Sequence, residues 1–161
     1  MMVSGALAGG FVGTLILTTA LLAATRLRLT RIDLPFLLGT AFVAEPGRAR
    51  ALGYALHFLA GLCFALTYYA VFAAIDEASW WLGALFGGVL ALFAGTALVN
   101  LVLPLVHPRM ATSGSAADST PLLEPPGFLL LNYGLGTPAV MVVAHVVYGA
   151  IVGEFTALSG S

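Results

Sequence analysis

Two histidines inside long apolar segments are the residues of this sequence best suited to chemistry. His57 lies seven residues after Arg50 and His145 lies seven residues after Pro138, in each case about 10 Å along a helix that rises 1.5 Å per residue. Neutral imidazole is a common axial ligand of haem iron. A glycine follows each histidine by four residues, at Gly61 and Gly149, and would leave room for a flat macrocycle on the same helix face.

The two histidines allow three interpretations. The first is a b-type haem or quinone-linked redox membrane protein, with His57 and His145 as cofactor-binding axial ligands. The second is a small transporter or proton-handling protein, because ionisable groups in hydrocarbon are costly and are retained for function. The third is structural: each imidazole hydrogen-bonds a neighbouring helix, for example through Asn100, a further polar residue inside the membrane. We expect the third, with no cofactor, no metal ligand and no catalytic residue.

The composition requires lipid as the solvent for most of the chain. Of its 161 residues, 60% are hydrophobic and 8% are charged, whereas soluble proteins carry about 25% charged residues. Lysine is absent and the net charge is −1, so no basic surface is available for nucleic acid.

Four segments are apolar and long enough to cross a hydrocarbon core of about 30 Å. They lie at 4–25, 51–75, 80–106 and 138–158. The sequence therefore predicts an all-α membrane protein, a four-transmembrane-helix bundle that forms a single membrane domain over 1–161.

The same hairpin pattern occurs twice along the chain. A Gly-Ala-Leu motif opens the first span at Gly5 and the third span at Gly83, and a histidine with a glycine four residues later follows in the second and fourth spans. This order predicts duplication of a two-helix unit into tandem hairpins, repeat one at 4–75 and repeat two at 80–158. Duplication would bring the two histidines to one depth in the bilayer.

Two apolar stretches between spans are too short to cross. The stretch 34–44 follows Asp33, a good helix-capping residue, and has Pro35 in its first turn. The second is 128–131. We predict short interfacial segments at both, with a re-entrant dip of the first as the alternative. The small polar residues at 111–120 predict a flexible link.

Glycines recur at four-residue steps on the spans, where small residues let helix backbones approach closely. The helix-packing glycines are Gly5, Gly9 and Gly13, Gly83 and Gly87, Gly61, and Gly149 and Gly153. Two interpretations are open for this pattern: packing within one bundle, or a seam between two copies of the chain.

The arginines predict the orientation. Five of the six lie between spans one and two, and the sixth, Arg109, lies between spans three and four. The positive-inside rule then places these connections in the cytoplasm, with both termini outside a bacterial inner membrane.

Several motifs carry a family resemblance. They are Gly5-Ala6-Leu7-Ala8-Gly9, His57-Phe58 with Gly61 and Tyr69, Leu103-Pro104-Leu105, and His145-Val146-Val147-Tyr148-Gly149-Ala150 with Gly153. Together they resemble a family of small bacterial four-helix integral membrane proteins of unknown function, over nearly the whole chain. The resemblance implies a membrane fold and no activity. We expect a non-catalytic structural or accessory subunit whose partners are the lipid bilayer and either copies of itself or a larger membrane complex.

Overall fold

Helices make up nearly all of the regular structure in the computed structural model, which describes residues 1–110 and 123–160. The helices are α1 (Val3–Arg26), α2 (Leu34–Gly39), α3 (Pro46–Ile75), α4 (Trp80–Phe93), α5 (Leu103–Val106) and α6 (Thr137–Leu158), with a π-helical segment at Ala94–Val102 and a 3₁₀ segment at Phe128–Tyr133. In these ranges the only β pairing is one isolated bridge, Met110 with Leu123. The predicted all-α bundle with four candidate membrane spans is confirmed. The division into repeats stays a prediction.

The second span begins at Pro46, five residues before the start that we predicted. Glu45 caps this helix, because its carboxylate accepts hydrogen bonds from the backbone N–H groups of Gly47 (2.8 Å) and Arg48 (2.7 Å). The same two hydrogen bonds hold the pKa of the Glu45 carboxyl below its usual value. The polar residues at 45–50 are therefore the first turns of α3 and not a loop before it.

The third span, Trp80–Val106, changes helix type along its length. α4 runs into the nine-residue π-helical segment, and α5 completes the span. Asn100 lies in the π-helical segment and donates from Nδ2 to the carbonyl oxygens of Gly95 (3.2 Å) and Thr96 (2.9 Å). Such segments are rare in proteins and are often found at functional sites.

α6 is the central helix of the bundle. It packs along α1 and along α4, and α1 packs in addition along α3. The short connection 76–79 joins α3 to α4. Aromatic side chains of the two helices contact each other near this connection, with 5.5 Å between the ring centroids of Tyr68 and Phe86. Beyond that region the two helices make few close backbone contacts. Spans two and three therefore pack closely only near their connection.

The glycine steps lie where helices of this chain cross. The α1 glycines that face α6 are Gly5, Gly9 and Gly13. The glycines that face each other across α4 and α6 are Gly83, Gly87, Gly149 and Gly153. Gly61 of α3 lies against Thr14 of α1. These positions support packing within one bundle, and the glycine face of α1 is already covered by α6.

The connection at 27–45 meets the described residues 107–110 and 123–136 at one end of the bundle. Arg109 donates from Nη1 to the Val43 carbonyl oxygen (3.2 Å), and Arg31 forms an ion pair with Glu124 (3.5 Å). Tyr133 donates its hydroxyl proton to the Glu124 carbonyl oxygen (2.8 Å), and burial raises the pKa of Tyr133 to about 12. All six arginines therefore lie in or beside one end of the molecule.

The two short segments predicted at 34–44 and 128–131 form different kinds of helix. Asp33 caps α2 as predicted, because its Oδ1 accepts from the backbone N–H of Phe36 (3.0 Å). α2 packs closely on the first turns of α3, with Gly53 against the Pro35 carbonyl group. The segment predicted at 128–131 is a distorted 3₁₀ turn. The link predicted at 111–120 lies outside the described residues.

Candidate functional site

A cavity of about 290 Å³ lies between α3 and the third span, where these helices diverge. α1 and α6 form its inner wall, and α2 and the 3₁₀ segment close it at the end that carries the arginines. Tyr148 borders it toward the opposite end, where the Tyr148 hydroxyl donates to the Gly61 carbonyl oxygen (2.5 Å). The cavity is partly open.

The wall of this cavity is almost entirely apolar, and none of the described residues that line it carries a permanent charge. Its polar side chains are Thr14, His57, His145 and Tyr148. The Thr14 hydroxyl donates to the Gly10 carbonyl oxygen (2.7 Å), and Tyr148 bonds Gly61. The protons of both hydroxyl groups are therefore engaged within the protein, and the two imidazoles are the other polar groups of the wall.

His57 is half-buried, and its Nε2 atom is buried without a hydrogen-bond partner among the described residues. Its side chain also borders a second cavity of about 90 Å³, which extends to Asp33 near the end of the bundle. A buried polar atom without a hydrogen bond costs about 1–3 kcal/mol, so such an atom in a native structure requires an explanation. Binding of a ligand, or entry of water from the second cavity, would supply one.

His145 has a defined hydrogen bond on one ring nitrogen. Nδ1 lies 2.8 Å from the carbonyl oxygen of Met141, one turn earlier on α6. A carbonyl oxygen only accepts, so Nδ1 carries the proton, and in the neutral ring Nε2 is left with a free lone pair. None of the described residues that line the cavity is a charged group that could stabilise an imidazolium. His145 therefore presents an acceptor.

The structure brings the two predicted histidines to one cavity but does not join them to Asn100. The amide of Asn100 bonds carbonyl groups of its own helix, and this side chain does not line the cavity. Each histidine was expected to bond a neighbouring helix, but His145 bonds its own helix and His57 leaves Nε2 unbonded. The interhelical hydrogen bonds of the structural interpretation are thus absent from the described residues.

A third histidine, His107, has a structural role that the sequence analysis did not assign. Its Nε2 lies 3.0 Å from the Leu37 carbonyl oxygen and 3.3 Å from the Thr40 hydroxyl, and its Nδ1 accepts from the backbone N–H of Arg109 (3.2 Å). The side chain is 3% exposed and does not line the large cavity. His107 therefore connects α2 to the end of the third span.

Two irregular backbone stretches shape the cavity and were not predicted. Leu129 and Leu130 both have positive φ angles, 51° and 62°, which are rare for branched residues. Leu130 is 2% exposed and lines the cavity, opposite Val99 and Leu98 of the π-helical segment. Strained backbone of this kind persists where its surroundings fix it, often at binding sites. The Pro125-Pro126-Gly127 run was the signal that could have indicated an irregular turn.

The four long helices have mean hydropathies between 1.7 and 2.3, each with at least 22 residues. Large apolar side chains are exposed along them, for example Leu59 and Leu85 at more than half of their surface. Only lipid can solvate such a surface. The chain is a multi-pass membrane protein. It matches no family model, no curated protein and no solved structure.

Proposed function

We propose that this chain is a non-catalytic accessory subunit of a membrane assembly in a bacterial inner membrane. The observation that carries the proposal is the poor burial of α3. Only 17% of its most apolar 18-residue window is buried inside the chain, against 44% for α1 and 39% for α6. α3 packs on α1 and α2 and leaves the rest of its surface to lipid or to another protein.

The exposed side of α3 is suited to a helix partner. Leu59, Cys63 and Leu66 are exposed and follow one another at steps of four and three residues, so they share one helix face. Association of helices in lipid depends on close packing and not on hydrophobic burial. A small side chain at Cys63 between two leucines gives a partner helix a position for close approach.

Cys63 is the only cysteine of the chain and serves as a direct probe of this association. If two copies meet along α3, oxidation of native membranes will give a disulfide-linked dimer, and Cys63→Ala will abolish it. If α3 instead meets another subunit, that subunit will copurify with the chain in mild detergent. Uncross-linked monomer in membranes, together with a single protein after purification, would contradict an accessory role.

The orientation that we propose places the arginine-bearing end in the cytoplasm and both termini outside. It is supported by the six arginines, which gather at one end of the bundle, and by the positive-inside rule. Reporter fusions at Ser161 and within 113–117 test it. We expect a cytoplasmic signal from the internal fusion and an external signal from Ser161, and the reverse pair would overturn the orientation.

A further inference from the structure

The cavity between α3 and the third span has the size of a small ring system. An apolar protein cavity of about 150 Å³ can bind one benzene molecule. This cavity has a volume of about 290 Å³, so it accommodates about two fused rings. Phe64 and Tyr148 supply aromatic surface in its wall, against which a flat ring can pack.

The polar groups of the cavity restrict the chemistry of its ligand. His145 presents an Nε2 lone pair, which requires a hydrogen-bond donor on the ligand. The Nε2 atom of His57 has no partner among the described residues but is buried within the protein, so it presents no accessible surface to the ligand, and Nε2 of His145 is the atom that selects the ligand. An anion would find no permanent positive charge in the lining, and a hydrocarbon would leave both imidazoles unbonded.

We propose that this cavity binds a lipid-soluble aromatic alcohol, a phenol or a quinol, whose hydroxyl group donates to Nε2 of His145. The ring packs among the apolar side chains of the cavity wall. The ligand enters from the bilayer, because the cavity is partly open and lies among membrane-spanning helices. Such a site does not depend on the accessory role proposed above, and either can fail without the other.

Three naphthalene compounds of nearly equal shape test the proposal. Naphthalene has no polar group, 1-methoxynaphthalene has only an acceptor, and 1-naphthol has a donor. We expect 1-naphthol to bind the full chain in phosphatidylcholine nanodiscs about tenfold more tightly than naphthalene, as one net hydrogen bond to a buried group allows. 1-Methoxynaphthalene should bind no better than naphthalene, because His145 needs a donor.

The imidazole ¹⁵N resonances report the contact directly. With 1-naphthol, the Nε2 signal of His145 and the ring signals of His57 should shift. Those of His107 should stay unchanged, because its ring nitrogens are already bonded away from the cavity. Equal affinity for the three compounds, or no shift at His145, would reduce the site to an apolar void that acyl chains fill and would overturn the proposal.

Two variants locate binding in this cavity. Ala60 lines the cavity, so Ala60→Leu fills part of it, and we expect the affinity for 1-naphthol to fall at least tenfold. Ala70→Leu makes the same change on the exposed side of α3 and should leave the affinity unchanged. Equal affinity in both variants would overturn the proposal. A Soret band in the protein as purified would also overturn it, because haem would then occupy the two imidazoles.

Discussion

Gly87→Ala should lower the free energy of unfolding of the bundle by about 2–3 kcal/mol. The same substitution at the next residue, Gly88→Ala, should raise it. A methyl group at Gly87 would collide with the His145 carbonyl oxygen and with the Val146 Cα, both backbone atoms of α6 that cannot turn aside. At Gly88 the nearest atom is Val146 Cγ2 at 3.8 Å, an ordinary contact. Alanine at this position only reduces the backbone freedom that glycine has in the unfolded chain, which raises the free energy of unfolding by about 0.5–1 kcal/mol.

Both variants are titrated with SDS in mixed micelles, and circular dichroism follows their unfolding. The midpoints give the two opposite changes in the free energy of unfolding. The two positions are adjacent on one helix, so membrane insertion and helix propensity are closely matched, and the main difference is the contact with α6. If both variants are equally stable, the close crossing of α4 and α6 does not hold the bundle together, and the packing role of the glycine steps would be refuted.

His57→Leu should stabilise the protein by about 1–2 kcal/mol, although most substitutions of buried residues destabilise. Leucine removes a buried Nε2 atom that has no partner and keeps apolar surface in the cavity wall. The expected gain indicates that the imidazole is not present for stability. A residue that destabilises the ligand-free folded protein is expected at a functional site.

His107→Leu is the matched control, with the opposite expected sign. It would leave the Arg109 N–H and the Leu37 carbonyl without their imidazole partner in a buried place, at a cost of about 1–3 kcal/mol. Thermal unfolding in detergent, in the absence of added ligand, compares the two variants. A loss of stability in His57→Leu similar to that in His107→Leu would mean that His57 makes contacts in solution that the structure lacks, and would remove the case for its functional role.

Composition and local signals were sufficient to predict the elements of this fold. Four apolar runs gave the four spans, Asp33 and Pro35 gave the start of α2, and the four-residue glycine steps gave the contact faces of the helices. Each of these features depends on residues close to one another in the chain. The start of α3 was missed because Arg48 and Arg50 look like loop residues, yet Glu45 caps a helix that contains both.

The arrangement of the helices could not be predicted in the same way. In lipid both the buried and the exposed faces of a helix are apolar, so hydrophobic periodicity does not show which face points inward. Nothing in the sequence of α6 distinguishes it as the central helix. The cavity depends on the divergence of α3 from the third span and on the π-helical segment, neither of which has a clear local signal. It also depends on the left-handed residues Leu129 and Leu130, for which the preceding Pro125-Pro126-Gly127 run indicates only an irregular turn.

The central position of α6 bears on the order in which the bundle forms. A ribosome delivers α1, α3 and the third span to the membrane before α6, because α6 follows them in the chain. Until it arrives, the glycine face of α1 and the Gly83 face of α4 lack their partner within the chain. Among the first three spans, only the packing of α1 on α3 and the ring contacts of α3 with α4 near their connection are available before α6. The contacts of α1 and α4 with α6 can form only after the fourth span has entered the membrane.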